Sequence, residues 1–211
     1  MGVVNEYDIR FNSDRIAQLI KERSVEYETG GNKGRMTIDT PEKAAMIIES
    51  LWDASNLAQE KFWVLALDGA RKVAGAFEVT TGTLMASLVH PREVFQRAFL
   101  AGAASIIISH NHPSGALVVS ESDNEVTKRI SKSGEILGIK LDDHILIANG
   151  NFASIYGHGD GFDCGRGTPI PKIVSKTSLF QTLTDSKKEA DNHNKGVANK
   201  STSFNKESEL K

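Results

Sequence analysis

The sequence predicts a mixed α/β domain in which helices and strands alternate irregularly around antiparallel hairpins. Three observations carry this reading. The apolar runs Phe62–Leu67 and Ser105–Ser109 are short and bounded by turn signals, as buried strands are. Behind Pro41 and Pro91 the apolar residues recur at helical spacing. Asn149-Gly150-Asn151 stands as a hairpin turn between Lys140–Ala148 and Phe152–Ser154. A doubly wound parallel sheet needs strict strand–helix alternation, which the hairpins break.

Met1–Met36 reads as a polar amino-terminal extension. Within it, Asp14–Glu22 places Ile16, Leu19 and Ile20 at helical spacing, and Thr29–Gly34 is a Gly-rich break. The domain proper spans residues 37–158. Thr40 is a helix cap followed by Pro41 at the first helical position, and Ala44, Ala45, Ile47, Ile48, Leu51 and Trp52 form the buried face. Phe62–Leu67 is a strand closed by the turn Asp68-Gly69, with Lys72–Thr80 returning beside it and Ser87–Val89 as a further strand segment. Pro91 opens a helix running to Ala103, Ser105–Ser109 is a buried strand, and Glu121–Ser133 is the next helix. Residues 159–211 are Gly-rich and then polar. Ser186–Lys211 has few large apolar residues, so it is expected to be largely disordered, with a short helical or docking element at Ser178–Leu183.

Over 211 residues, 39% are hydrophobic and 25% charged, enough for a core. The net charge of −2 advertises neither nucleic acid nor an anionic membrane as a partner. The single cysteine, Cys164, excludes an intrachain disulfide. No apolar run could cross a bilayer and Met1–Asn12 lacks a signal-peptide pattern, so a soluble, cytoplasmic protein is expected.

Chemistry concentrates in Ser109-His110-Asn111-His112-Pro113-Ser114-Gly115. In extended backbone, residues two apart point the same way, so His110 and His112 can aim at one point. Pro113 stops the strand and Gly115 lets the loop turn back. Asp123, eleven positions after His112, could be a third ligand, leaving water in the open fourth position of a catalytic metal site. Glu60, just before the Phe62–Leu67 strand, is the candidate general base. Blander readings stay open. The histidines could be polar loop residues, and Ser120-Glu121-Ser122-Asp123 has the spacing of a capping box. His90, His144 and His158 lack partner spacing and suit structural hydrogen bonds. Asp143 could orient a ligand histidine or simply pack.

His110-x-His112-x10-Asp123, with Ser120 three residues before the aspartate, resembles the metal motif of the JAMM (JAB/MPN-type) metalloprotease superfamily. Gly82-Thr83-Leu84, Val89-His90-Pro91-Arg92-Glu93-Val94, the His110–Gly115 loop and Asp143-His144 are similar to the RadC-type JAB domain, over about Thr37 to Gly157. The resemblance implies a curved mixed sheet flanked by helices, with zinc on His110, His112 and Asp123. It also implies Ser120 at the oxyanion and an upstream glutamate as base: Glu60, with Glu78 as rival. A peptide or isopeptide substrate follows from it, and the family's DNA-repair label makes nucleic acid the alternative. That alternative has local support from Lys128, Arg129 and Lys132, which a charged helix face explains equally. There are departures. Asn111 stands where related peptidases often carry Ser or Thr, and Ala116-Leu117-Val118-Val119 replaces an Asp and proline-rich turn. Met1–Met36 lacks the helix-hairpin-helix pattern of full-length members.

Overall fold

A strand buried on both faces organises the molecule. In the structure, a computed structural model, residues 2–27, 35–82, 89–156 and 167–171 are described. They fall in one unit, Met1–Val174. The sequence features at Thr29–Gly34, Thr83–Leu84, Ser87, His158, Cys164, Ser178–Leu183 and Ser186–Lys211 lie outside the described residues.

Strand β5 (Ser105–Asn111) is buried at every position. It runs antiparallel to β3 (Lys61–Leu67) and parallel to β6 (Lys140–Ala148). β3 pairs antiparallel with β4 (Val73–Thr81), and β6 with β7 (Asn151–Ser154), through the Asn149-Gly150 turn, whose two residues both have positive φ. The short β8 (Thr168–Pro169) lies against β7. Two further strands, β1 (Gly2–Phe11) and β2 (Ala17–Tyr27), form an antiparallel hairpin. β1 joins β4 in parallel at Glu6 and Ala76. The order is β2-β1-β4-β3-β5-β6-β7-β8, a mixed sheet.

The hairpin corrects one expectation. The helix read over Asp14–Glu22 is instead the turn and first half of β2. Asn12 Oδ1 accepts from the backbone N–H of Asp14 and Ile16, tightening the turn. Three apolar residues cannot stabilise a lone helix, whereas β1 offers a long ladder of partners. The buried Glu6 carboxylate then ties the hairpin to the domain, accepting from Trp52 Nε1 at 2.8 Å and from Arg23.

Helix α1 (Pro41–Trp52) covers one face of the sheet, with α2 (Pro91–Leu100) and α3 (Glu121–Leu137) on the other. Period-two alternation divides the strands between two cores. Trp63, Leu65, Leu67, Ile107, Ile145 and Ile147 pack with Ile47, Ile48 and Trp52 of α1. Phe62, Val64, Ile106 and Ile108 pack with Val94, Phe95, Val126 and Ile130 of α2 and α3. Thr40 occupies the N-cap position of α1 without a side-chain cap bond. α2 ends earlier than Ala103, and α3 runs one turn beyond Ser133. No helix among the described residues is long and apolar enough to cross a membrane.

The end of α3 folds back on itself, and the Ile139 N–H donates to the Gly134 carbonyl at 3.0 Å. A Cβ at Gly134 would lie 2.3 Å from the Ile139 carbonyl oxygen and 3.3 Å from Phe95 Cζ. Replacing a helical Gly by Ala ordinarily stabilises by about 0.5–1 kcal/mol. Here the backbone contact reverses the sign: Gly134→Ala is expected to destabilise by about 1–3 kcal/mol, as overpacking does. Chemical denaturation checks this, and an unchanged or raised midpoint contradicts it.

Candidate metal centre

Alternation along β5 assigns its residues to faces. Ile106, Ile108 and His110 look toward α2 and α3, while Ile107, Ser109 and Asn111 look toward α1. His110 is fully buried. His112 follows the strand end, held by its backbone N–H on the Ile147 carbonyl at 2.9 Å. The chain then turns through Pro113-Ser114, and the Gly115 N–H donates to the His112 carbonyl at 3.0 Å. Gly115 has φ 78°, a conformation that other residues rarely adopt. The His112 ring donates from Nδ1 to the Ala116 carbonyl at 3.0 Å, so its Nε2 points inward. The Ala116–Val119 departure from the family pattern thus includes a carbonyl that orients a candidate ligand.

Asp123 sits at the third position of α3, buried, where it caps the helix and also faces His110. Its Oδ2 accepts from the Ser120 backbone N–H and from Ser120 Oγ, each at 2.7 Å, and Ser120 Oγ accepts from the Asp123 N–H, which completes a capping box. Its Oδ1 faces His110 Nε2 at 3.2 Å. One oxygen caps the helix and the other is left for the site. Burial disfavours the charge. The hydrogen bond and charge of His110, with the Ser120 bonds, outweigh it and hold this carboxyl well below the usual carboxylate range.

The three residues converge. His110 Nε2 and His112 Nε2 are 3.2 Å apart, and His112 Nε2 is 3.8 Å from Asp123 Oδ2. One donor atom from each residue lies within 4.8 Å of the others, a cluster that could hold a metal ion. Glu60, partly exposed, brings Oε1 to 3.8 Å from His112 Nε2. The rival Glu78 is engaged elsewhere, accepting from Lys61 Nζ at 2.8 Å and Thr81 Oγ1 at 2.6 Å.

The RadC-like JAB domain model matches residues 38–160, more than half of the chain. The chain belongs to this family. Curated relatives include UPF0758 proteins of Rubrobacter xylanophilus (41% identical over 128 residues, 61% of this chain and 55% of the relative) and Desulforudis audaxviator (42% over 119 residues, 56% and 51%). Another is found in Trichlorobacter lovleyi (46% over 101 residues, 48% and 44%). The chain spans about half the length of the curated relatives it matches. The His-His-Asp cluster of this RadC-like JAB domain fits a JAMM-type metal site.

Two residues of the JAB domain do more than their sequence context suggests. Asn111, buried, accepts at Oδ1 from the Lys61 N–H (2.8 Å) and donates from Nδ2 to the Gln59 carbonyl (3.1 Å). It therefore grips the backbone on both sides of Glu60. His144, expected to make structural hydrogen bonds, places Nε2 2.8 Å from His110 Nδ1 and Nδ1 2.7 Å from Thr127 Oγ1. Burial first, and the neighbouring His110 next, push its pKa well below the ordinary imidazole value. His144 stands opposite Ile108, two pairs before His110, a placement invisible without the pairing of β5 and β6. Asp143 instead accepts from the His144 N–H, Ser154 Oγ and the Tyr156 N–H. His90 caps α2, accepting from the Arg92 N–H. Arg129 donates to the Val89 carbonyl at 2.9 Å, tying α3 to the segment before α2.

Asn111→Asp keeps the acceptor for Lys61 but turns the second oxygen toward the Gln59 carbonyl. We expect a loss of about 1–3 kcal/mol, the range for a buried polar group left without its partner. Thermal unfolding at neutral pH checks this; unchanged stability would remove the clamp.

Proposed function

We propose that this chain is a zinc-dependent hydrolase that cleaves peptide or isopeptide bonds. The observation that carries the reading is the convergence of lone pairs. His112 donates from Nδ1 to the Ala116 carbonyl, which leaves Nε2 as the ring atom that can offer a lone pair. The ionised Asp123 carboxylate offers Oδ1. Electron-rich atoms at such distances repel unless a proton or a metal cation lies among them. Nitrogen and oxygen ligands bound at about 2.0–2.1 Å in a tetrahedron stand about 3.3 Å apart. His110 Nε2 stands 3.2 Å from both His112 Nε2 and Asp123 Oδ1, separations that suit that ion. His110, His112 and Asp123 would hold it, with a fourth position open to solvent or substrate. When bound, such an ion acidifies water and polarises a carbonyl group.

The remaining chemistry falls to the chain's own residues. Glu60, whose flanking backbone at Gln59 and Lys61 is held by Asn111 and whose Oε1 lies 3.8 Å from His112 Nε2, takes a proton from the attacking water and returns it to the leaving nitrogen. The choice of Glu60 over Glu78 is supported by this proximity to His112. Ser120 Oγ spends its proton on Asp123 Oδ2 in the resting arrangement, so its service to an oxyanion requires the hydroxyl to rotate away. The substrate class rests on the resemblance to JAMM peptidases.

The test combines metal analysis with turnover of a panel of peptides and isopeptide-linked conjugates. Wild type is expected to bind about one zinc per chain through three protein ligands, and His112→Ala to lose it. Glu60→Gln should keep the metal while turnover falls by roughly 10²–10⁴, the usual worth of a positioned general base. A wild-type chain that takes up no divalent metal sinks the proposal. A Glu60→Gln chain that turns over normally removes Glu60 as the base.

A further inference from the structure

The segment Gly167–Pro171 lies beyond residues 38–160, the match to the RadC-like JAB domain. It carries β8, which pairs with β7 at Asn151 and Phe152. The Ile170 N–H donates to the Gly150 carbonyl at 2.9 Å, and the Ile170 side chain packs against the core on the α1 side. Amides alternate in direction along a strand, so those of positions 169 and 171 would point away from β7. Both positions are proline, which gives up no needed donor there and closes the outer edge.

Gly167 meets the loop that follows His112. It is not among the glycines with positive φ, so its backbone would accept a side chain. Space is what excludes one. A Cβ at Gly167 would lie 2.4 Å from Leu117 Cδ1 and 3.5 Å from Asn151 Cβ. Leu117 is half-buried, whereas Ala116 and Val118 on either side of it are exposed. Its methyl group is therefore seated against bare backbone.

We propose that Leu117, seated on Gly167, pins this loop, and that Gly167–Pro171 is a strap holding the Ala116 carbonyl and, through it, the His112 ring in place. The Ala116 carbonyl belongs to the peptide unit shared with Leu117, so anchoring the Leu117 side chain fixes that oxygen one residue away. The oxygen stands 3.0 Å from His112 Nδ1. The start of the loop is held separately, by the Gly115 N–H on the His112 carbonyl, but that bond leaves the plane of the next peptide units free to turn. Leu117 and Gly167 are positioning residues that act through Ala116. The exposed residues of the loop are free to vary, and the inward-facing leucine is not.

The inference rests on reading His112 as a metal ligand, but its first readout needs no metal. In full-length chain stripped by chelator, amide exchange followed by NMR reports how firmly the Gly115 N–H is held on the His112 carbonyl. Leu117→Ala should speed exchange at Gly115 and leave the amides of β5 as protected as before. Leu117→Met, which keeps a methyl group for the seat, should behave as wild type. Gly167→Ala should also speed exchange, but in the Leu117→Ala background it should add nothing, since the remaining neighbour at 3.5 Å is an ordinary contact. Zinc affinity, measured by competition with a chromophoric chelator, should fall about tenfold in Leu117→Ala, the lower end for groups that orient a ligand histidine. Unchanged Gly115 exchange or unchanged zinc affinity in Leu117→Ala overturns the strap. So does a Gly167→Ala effect that is the same with and without Leu117. If the exchange pattern is as expected but wild type binds no zinc, the hydrolase proposal fails while the pinning of the loop by Leu117 stands.

Discussion

The site depends on the burial of β5 at the centre of the sheet. A strand covered on both faces and paired on both edges has one register and no freedom to twist a side chain from one face to the other. His110 is therefore committed to the α3 side, where Asp123 arrives, and Asn111 to the α1 side, beside the start of β3. Two consecutive residues serve opposite halves of the centre. His110 joins the donor cluster, while Asn111 holds the backbone around Glu60. A slip of one residue would exchange their faces and dismantle both.

Helix α3 supplies the second constraint. Its first turn uses both oxygens of Asp123 for different purposes, so capping the helix and serving the cluster do not compete. A carboxylate near a helix N-terminus is stabilised by the unsatisfied amides there. The Ser120 bonds fix its orientation as well as its charge. Thr127 extends this economy by one turn, bonding the Asp123 carbonyl and His144 together.

The loop after His112 links variation to the cluster. Its side chains differ from the family's usual turn, and Val118 projects largely into solvent. Yet the contact that orients His112 comes from a backbone carbonyl, which any residue at position 116 would supply provided the turn at Gly115 is kept. The loop can therefore change its surface chemistry without disturbing the ring beneath it.

Much of this was legible in the residues alone. The central strands, the helices behind Pro41 and Pro91 and the hairpin at Asn149-Gly150 follow from periodicity and turn chemistry, which are local properties of the chain. The spacing of His110, His112 and Asp123 with Ser120 pointed to the cluster for the same reason, since strand alternation and a capping box are short-range. The hairpin Gly2–Tyr27 was misread where Ile16, Leu19 and Ile20 mimic a helical stripe, because the partner that decides it is another strand. The carboxylate near His112, the grip of Asn111 on Gln59 and Lys61, and the pairing of His144 with His110 belong to tertiary structure. Each joins residues 34 to 52 positions apart. Composition and local spacing determine which elements form and which faces they bury. Which distant side chains meet is decided only when the strands take their order in the sheet, because hydrogen bonds and electrostatic contacts depend on distances of a few ångströms that no local pattern encodes.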